Sequence, residues 1–110
     1  MNCIAGLFLF VGFFGSLGSG ADLACATSAI DRAGKLLIFH TGLDDRISID
    51  KNAKELPSLR NPEDPRQRFE VLEVWGYIYK AKYRMRLIYY NTPAIKCLLM
   101  GEEILEYARL

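Results

Sequence analysis

A chain of 110 residues, half of them apolar (51%) and with a formal charge of only +1, has room for a single folded domain. That balance excludes intrinsic disorder, and it excludes a protein that holds nucleic acid by bulk charge. The average conceals an uneven distribution. Residues 1–17 carry no charge, and Ile4 to Leu17 (IAGLFLFVGFFGSL) form an apolar run of signal-peptide length, short for a membrane-spanning helix of roughly 20 residues. The small residues Gly18-Ser19-Gly20-Ala21 follow, so cleavage is expected after Gly20 or Ala21. The expected organisation is a signal peptide over residues 1–20, a secreted single domain over 21–110, and no membrane contact after cleavage. Met1-Asn2-Cys3 lacks the usual basic residue, which keeps a retained membrane anchor as the alternative.

Cys3 would leave with the signal, so Cys25 and Cys97 remain as an even pair in an oxidising compartment and are expected to bridge. Two buried free thiols are the alternative. No CxxC and no Cys/His cluster of zinc spacing occurs, and no metal or cofactor is implied.

After the leader, Thr27 or Ser28 can cap a helix, with Asp31 in its first turn. Ile30, Ala33 and Leu37, with Ala26 and Ile38 near them, share one face at helical spacing, and Thr41-Gly42 is a natural stop. Arg46 to Ile49 suits a brief strand. Three of the four prolines, Pro57, Pro62 and Pro65, punctuate a polar stretch, so 43–67 is expected to be a flexible surface loop. The segment from Arg68 to Tyr90 organises the rest. From Tyr77 onward it alternates, with Tyr77, Tyr79, Ala81, Tyr83, Met85, Leu87 and Tyr89 on one side and Lys80, Lys82, Arg84 and Arg86 on the other. Leu72 and Val74 fall in the opposite phase, which places a turn or bulge beside Gly76. Asn91 to Pro93 reads as a turn, Ala94 to Met100 as another strand ended by Gly101-Glu102, and the terminal EILEYARL as a last edge strand or a helix. The expected fold is therefore α+β, one N-terminal helix packed on a three- to four-stranded antiparallel meander. A long aromatic strand exposed at an edge would pair two copies.

Chemistry is sparse. His40, the one histidine, reads as a helix-end residue. Asp44, Asp45 and Asp50 miss calcium-loop spacing, and Glu102, Glu103 and Glu106 show no separation of environments that would make an acid and a base. No phosphate-binding glycine loop is present, and catalysis is not expected. The cations Lys80, Lys82, Arg84 and Arg86 read either as a ladder for an acidic partner or as an ordinary wet strand face neutralised by Glu70 and Glu73. Trp75 is either tucked under the sheet or displayed as an interface anchor.

The segment Leu72-Glu73-Val74-Trp75-Gly76, with Tyr79, KAKYRMRL and Ile95-Lys96-Cys97-Leu98 after it, resembles the cystatin family of cysteine-protease inhibitors over roughly residues 27–110. The family motif Q-x-V-x-G keeps its valine and glycine here, with leucine in place of glutamine, and Met100-Gly101-Glu102 stands where a Pro-Trp pair closes the second hairpin. The resemblance implies a cystatin-like fold and a secreted inhibitor that plugs a papain-like protease. Gly20, the Leu72–Gly76 loop and the turn at Met100 and Gly101 would form its wedge. The alternative it leaves is a cystatin-like protein that does not inhibit and binds an acidic partner through the cationic strand.

Overall fold

The structure is a computed structural model that describes residues 24–109. The expected leader, Gly20 and the expected cleavage site lie outside the described residues. The chain forms α1 (Ala26–Thr41), then β1 (Ile47–Ile49), β2 (Lys54–Asn61), β3 (Asp64–Ile78), β4 (Ala81–Tyr90) and β5 (Leu98–Arg109). All strand neighbours are antiparallel. β3, β4 and β5 lie side by side, and β1 and β2 both pair with the outer side of β3, at its two ends. The α+β class with one helix on an antiparallel sheet is thus as expected, but the sheet has five strands rather than three or four.

The helix ends at Thr41-Gly42 as its sequence suggests. Gly42 takes φ 94°, its N–H donates to Ile38 O at 2.7 Å, and Thr41 Oγ1 donates to Leu37 O at 2.9 Å. Its start differs. Neither Thr27 nor Ser28 caps it. The helix begins directly after Cys25, whose carbonyl accepts the Ala29 N–H at 2.9 Å, and Asp31 lies past the first turn, paired with Lys35 at 3.4 Å. The buried stripe is Ala29, Ala33, Leu36 and Leu37, while Ile38 is left exposed. Two alanines at four-residue spacing let the helix backbone settle close to the sheet.

Most of the expected 43–67 loop is strand. The prolines are accommodated where a ladder can spare them. Pro57 sits on the edge strand β2, at a register shift between Leu56 and Leu59. Pro62 occupies the β2–β3 turn, where Asn61 Oδ1 accepts the Glu63 N–H at 2.9 Å. Pro65 falls in the irregular stretch between the Asn61–Asp64 and Arg60–Arg68 pairs.

The Arg68–Tyr90 segment is two strands, and its turn is not at Gly76 but at Tyr79-Lys80, between the paired residues Ile78 and Ala81. Residues paired across a two-residue turn share a face, so the buried parity switches there, from Leu72 and Val74 to Ala81, Tyr83 and Met85. Tyr77 and Tyr79 continue the odd-numbered aromatic series through the turn and hide the switch. Tyr79 holds φ 53°, a left-handed backbone that glycine would take more easily. The aromatic strand is β4, central between β3 and β5, and so is not an exposed edge strand. Beyond it, the turn expected at Asn91 to Pro93 extends through 97, so the strand expected from Ala94 begins only at Leu98, and β5 continues through Gly101-Glu102 with a register shift between the pairs Ile88–Gly101 and Tyr89–Leu99.

The core lies between α1 and one face of the sheet, with Leu37, Leu72, Val74, Met85 and Leu87 fully enclosed. Gly76 is buried inside β3, where an added Cβ would stand 2.9 Å from Met85 Cε, 3.0 Å from Leu37 Cδ2 and 3.1 Å from Ile49 Cδ1. A disulfide joins Cys25 to Cys97, 72 residues apart with Cα atoms 5.6 Å from each other, and ties the helix start to the approach of β5. A second tie is a bidentate ion pair in which Arg32 Nε and Nη2 donate to Glu102 at 2.6 and 2.8 Å. The hydrogen bond from Arg32 holds the Glu102 carboxyl below the usual glutamate range.

Two outcomes follow for stability. Gly76→Ala is expected to cost about 1–3 kcal/mol by overpacking three side chains at once, read as a lower midpoint in urea unfolding with an unchanged slope. Replacing Cys25 and Cys97 by serine is expected to remove about 4 kcal/mol through the loop of 72 residues they close, seen as a large drop in melting temperature.

Candidate functional site

One helix covers one face of the sheet, and the opposite face is open. The pairing registers place on it Val71, Glu73, Trp75 and Tyr77 from β3, Lys82, Arg84, Arg86 and Ile88 from β4, and Glu103 and Leu105 from β5. A bulge in β5, between the pairs Lys82–Ala108 and Tyr83–Glu106, leaves Tyr107 as an extra residue. Its ring meets Trp75 edge-to-face, with centroids 5.3 Å apart.

Glu73 is the electrostatic centre of this face. It is only 8% exposed, and its Oε2 stands 3.8 Å from Arg84 Nε and 3.9 Å from Arg86 Nε. A single carboxylate therefore restrains two guanidiniums on the neighbouring strand, as expected for opposite charges across a ladder. Glu70, the other expected neutraliser, lies in the opposite phase and accepts from Asn91 Nδ2 at 3.2 Å instead.

The lysines are placed differently. Lys82 Nζ lies 4.6 Å from the Trp75 ring centroid and 5.8 Å from that of Tyr107, and Arg84 Cζ lies 6.0 Å from the Tyr107 centroid. Each such contact contributes about 0.5–1 kcal/mol at an exposed site. Lys80 lies in the β3–β4 turn, 5.5 Å from the Tyr79 ring, which Arg46 approaches to 5.6 Å. Arg46 itself is bound to Asp44, and those hydrogen bonds hold the Asp44 carboxyl down at about 2. Among the described residues, no ion pair engages Lys80 or Lys82. The cationic row is thus a pair of restrained arginines and a pair of lysines that lean only on aromatic rings.

The residues expected to form a protease wedge are not brought together as a loop. Leu72 and Val74 are fully buried beneath α1, Glu73 and Trp75 point to the opposite face, and Gly76 is packed in the core. Strand alternation divides the five residues between two faces, so they cannot project as one tip. Met100 and Gly101 lie within β5 rather than at a turn. Trp75 is neither beneath the sheet nor at a hairpin corner, but half-buried in the middle of the open face. Glu102 faces the helix and Glu103 the open side, so they do not form a carboxylate pair. His40 is exposed, with its ring edge-on to Tyr83 at 6.2 Å. Among the described residues, no group of three His, Cys, Asp or Glu side chains is arranged to hold a metal, and no helix is long and apolar enough to cross a membrane.

Tyr107, Val71 and Ile88 belong to the open face without having been singled out by sequence. Leu105, Tyr107 and Arg109 do share parity in the terminal segment, but that alternation has no meaning until a bulge sets its register against β4. No family model matches the chain, and no curated protein or solved structure compared with it matches either.

The shared carboxylate makes a testable demand. Glu73→Gln leaves two neighbouring guanidiniums without their counter-charge, and is expected to cost about 1–3 kcal/mol in chemical denaturation. Adding Arg84→Gln to that variant is expected to restore part of the loss, because it removes the repulsion.

Proposed function

We propose that the protein is a small secreted interaction protein that holds an acidic partner against the turn end of its open sheet face and does not depend on protease inhibition. The observation that carries this reading is Lys82, an ammonium 4.6 Å above Trp75 and engaged by no carboxylate among the described residues, with Lys80 close by in sequence at the turn. An anion arriving there replaces no existing ion pair. At Arg84 and Arg86 it would have to compete with Glu73. Trp75 and Tyr107 add flat apolar area beside the charge, the composition that anchors interfaces. The inhibitor expectation draws no comparable support, since its first loop would have to be drawn out of the interior of β3.

A column of sulfated polysaccharide tests the reading. The protein is expected to be retained at low salt and released as ionic strength rises. The double variant Lys80→Glu, Lys82→Glu is expected to elute near the void volume, with unchanged circular dichroism. Retention that ignores salt or the double substitution would defeat the proposal. Inhibition of a papain-like protease at micromolar concentration would instead restore the wedge.

A further inference from the structure

Three large apolar side chains stand apart from the rest in their exposure. Phe39 is 89% exposed, Leu43 86% and Tyr79 70%, whereas no other large apolar side chain among the described residues exceeds 58%. They come from separate places in the chain: the last turn of α1, the α1–β1 connection and the β3–β4 turn. The fold gathers them at one end of the molecule. Leu43 and Tyr79 line one cleft of about 340 Å³, together with Thr41, two residues beyond Phe39. His40, next to Phe39, sets its ring edge-on to Tyr83 of the same cleft. Single apolar residues on a surface need no explanation, but a cluster of them at one end marks a contact site. Tyr79 is held there at φ 53°, a backbone that glycine or asparagine would adopt with less strain.

The cleft adds charge to this apolar tip. Arg46 and Lys80 both lie against the Tyr79 ring, at 5.6 and 5.5 Å from its centroid. Arg46 Nε and Nη2 are spent on Asp44, and Asp45 also acts on that guanidinium. Lys80 lines the cleft, and neither it nor Lys82 is engaged by an ion pair among the described residues. On and beside the cleft, Arg46, Lys80 and Lys82 thus stand against Asp44 and Asp45, an excess of one positive charge that rests on the lysines.

These features restrict the occupant. A protein partner would need a matching pocket for each of three side chains that project from separate connections. A fluid bilayer needs none, since its hydrocarbon admits side chains of any shape while its phosphates lie level with the flanking cations. An aromatic ring with basic side chains against it suits the water–lipid boundary.

We propose that the acidic partner of the turn end is an anionic phospholipid surface, with Phe39 and Leu43 in the hydrocarbon, Tyr79 at the headgroup level and Lys80 and Lys82 on lipid phosphates. The inference rests on the acidic-partner reading above, and it departs from the sequence expectation of no membrane contact. The contact is peripheral, since no described helix is long and apolar enough to cross a membrane.

Vesicles of phosphatidylcholine mixed with phosphatidylserine test it on the whole chain. Phe39→Trp in a Trp75→Phe background leaves a single tryptophan, placed at the tip. Its emission is expected to shift to the blue and to be quenched by lipids brominated along their acyl chains. In vesicles of phosphatidylcholine alone the quenching is expected to be several-fold weaker. This signal reads the tip itself, so attachment through residues 1–23 does not imitate it. Adding Leu43→Ser is expected to weaken the quenched binding by about tenfold or more, while retention on sulfated polysaccharide persists. The proposal is overturned if the introduced tryptophan stays unquenched, or if anionic and neutral vesicles quench it alike. It is equally overturned if inorganic phosphate at matched ionic strength displaces the vesicles. A dimer in sedimentation that Leu43→Ser dissolves would show a second copy on the tip and overturn it too. Polysaccharide retention without quenching would remove the membrane contact alone and leave the acidic-partner reading standing.

Discussion

The approach of α1 to β3 is the contact on which the rest of the molecule depends. Leu37 rests against the backbone of Gly76, with Met85 and Ile49 closing on the same spot, and a side chain as small as a methyl would intrude on all three. The alanines of the helix stripe and this glycine bring helix and sheet together at close range, which allows Leu72, Val74, Met85 and Leu87 to be enclosed entirely. The disulfide at the helix start and the Arg32–Glu102 pair fix the helix against the far strands of the sheet. Because one helix supplies all the cover, everything of the opposite parity is left to water or to a partner.

That division explains why the open face has two characters. Near the middle, Glu73 is drawn almost out of solvent between two arginines, an arrangement that fixes the side chains and leaves little net charge to offer. Towards the β3–β4 turn, Asp44 is taken up by Arg46, and no ion pair among the described residues engages Lys80 or Lys82. The lysines there are positioned by aromatic rings, which hold a cation loosely without neutralising it. Towards β2 the bulge at Pro57 opens an apolar hollow beside Arg86. Charge held by aromatic rings, charge held by a carboxylate and apolar space therefore succeed one another across a single sheet surface.

Irregularities of the ladder place these features. The β5 bulge sends Tyr107 to Trp75, the β2 bulge opens the hollow, and a non-glycine residue at φ 53° forms the tight turn that presents Lys80. Each is a local departure from ideal pairing, and bulges commonly re-aim side chains in this way. A regular five-stranded meander of the same composition would keep the core and lose the aromatic pair, the hollow and the exposed turn.

By itself the sequence determined the α+β class, the helix with its stop at Thr41-Gly42 and the period-two strands, and it offered Cys25 and Cys97 as the pair the structure joins. Those follow from spacing along the chain, from glycine at a helix end and from the two cysteines that lie beyond the expected leader. It did not determine the β3–β4 turn, since Tyr77 and Tyr79 carry the apolar alternation straight through it, nor the strands within 43–67, since prolines read as breakers until an edge and a bulge are there to receive them. It placed Lys80, Lys82, Arg84 and Arg86 on one strand face, whereas Lys80 lies in the β3–β4 turn, and it gave no way to separate the two that Glu73 restrains from the two that rings support. Only the tertiary structure decided that, because the face and neighbours of a strand residue depend on the register between strands, and a shift of one residue reverses them all.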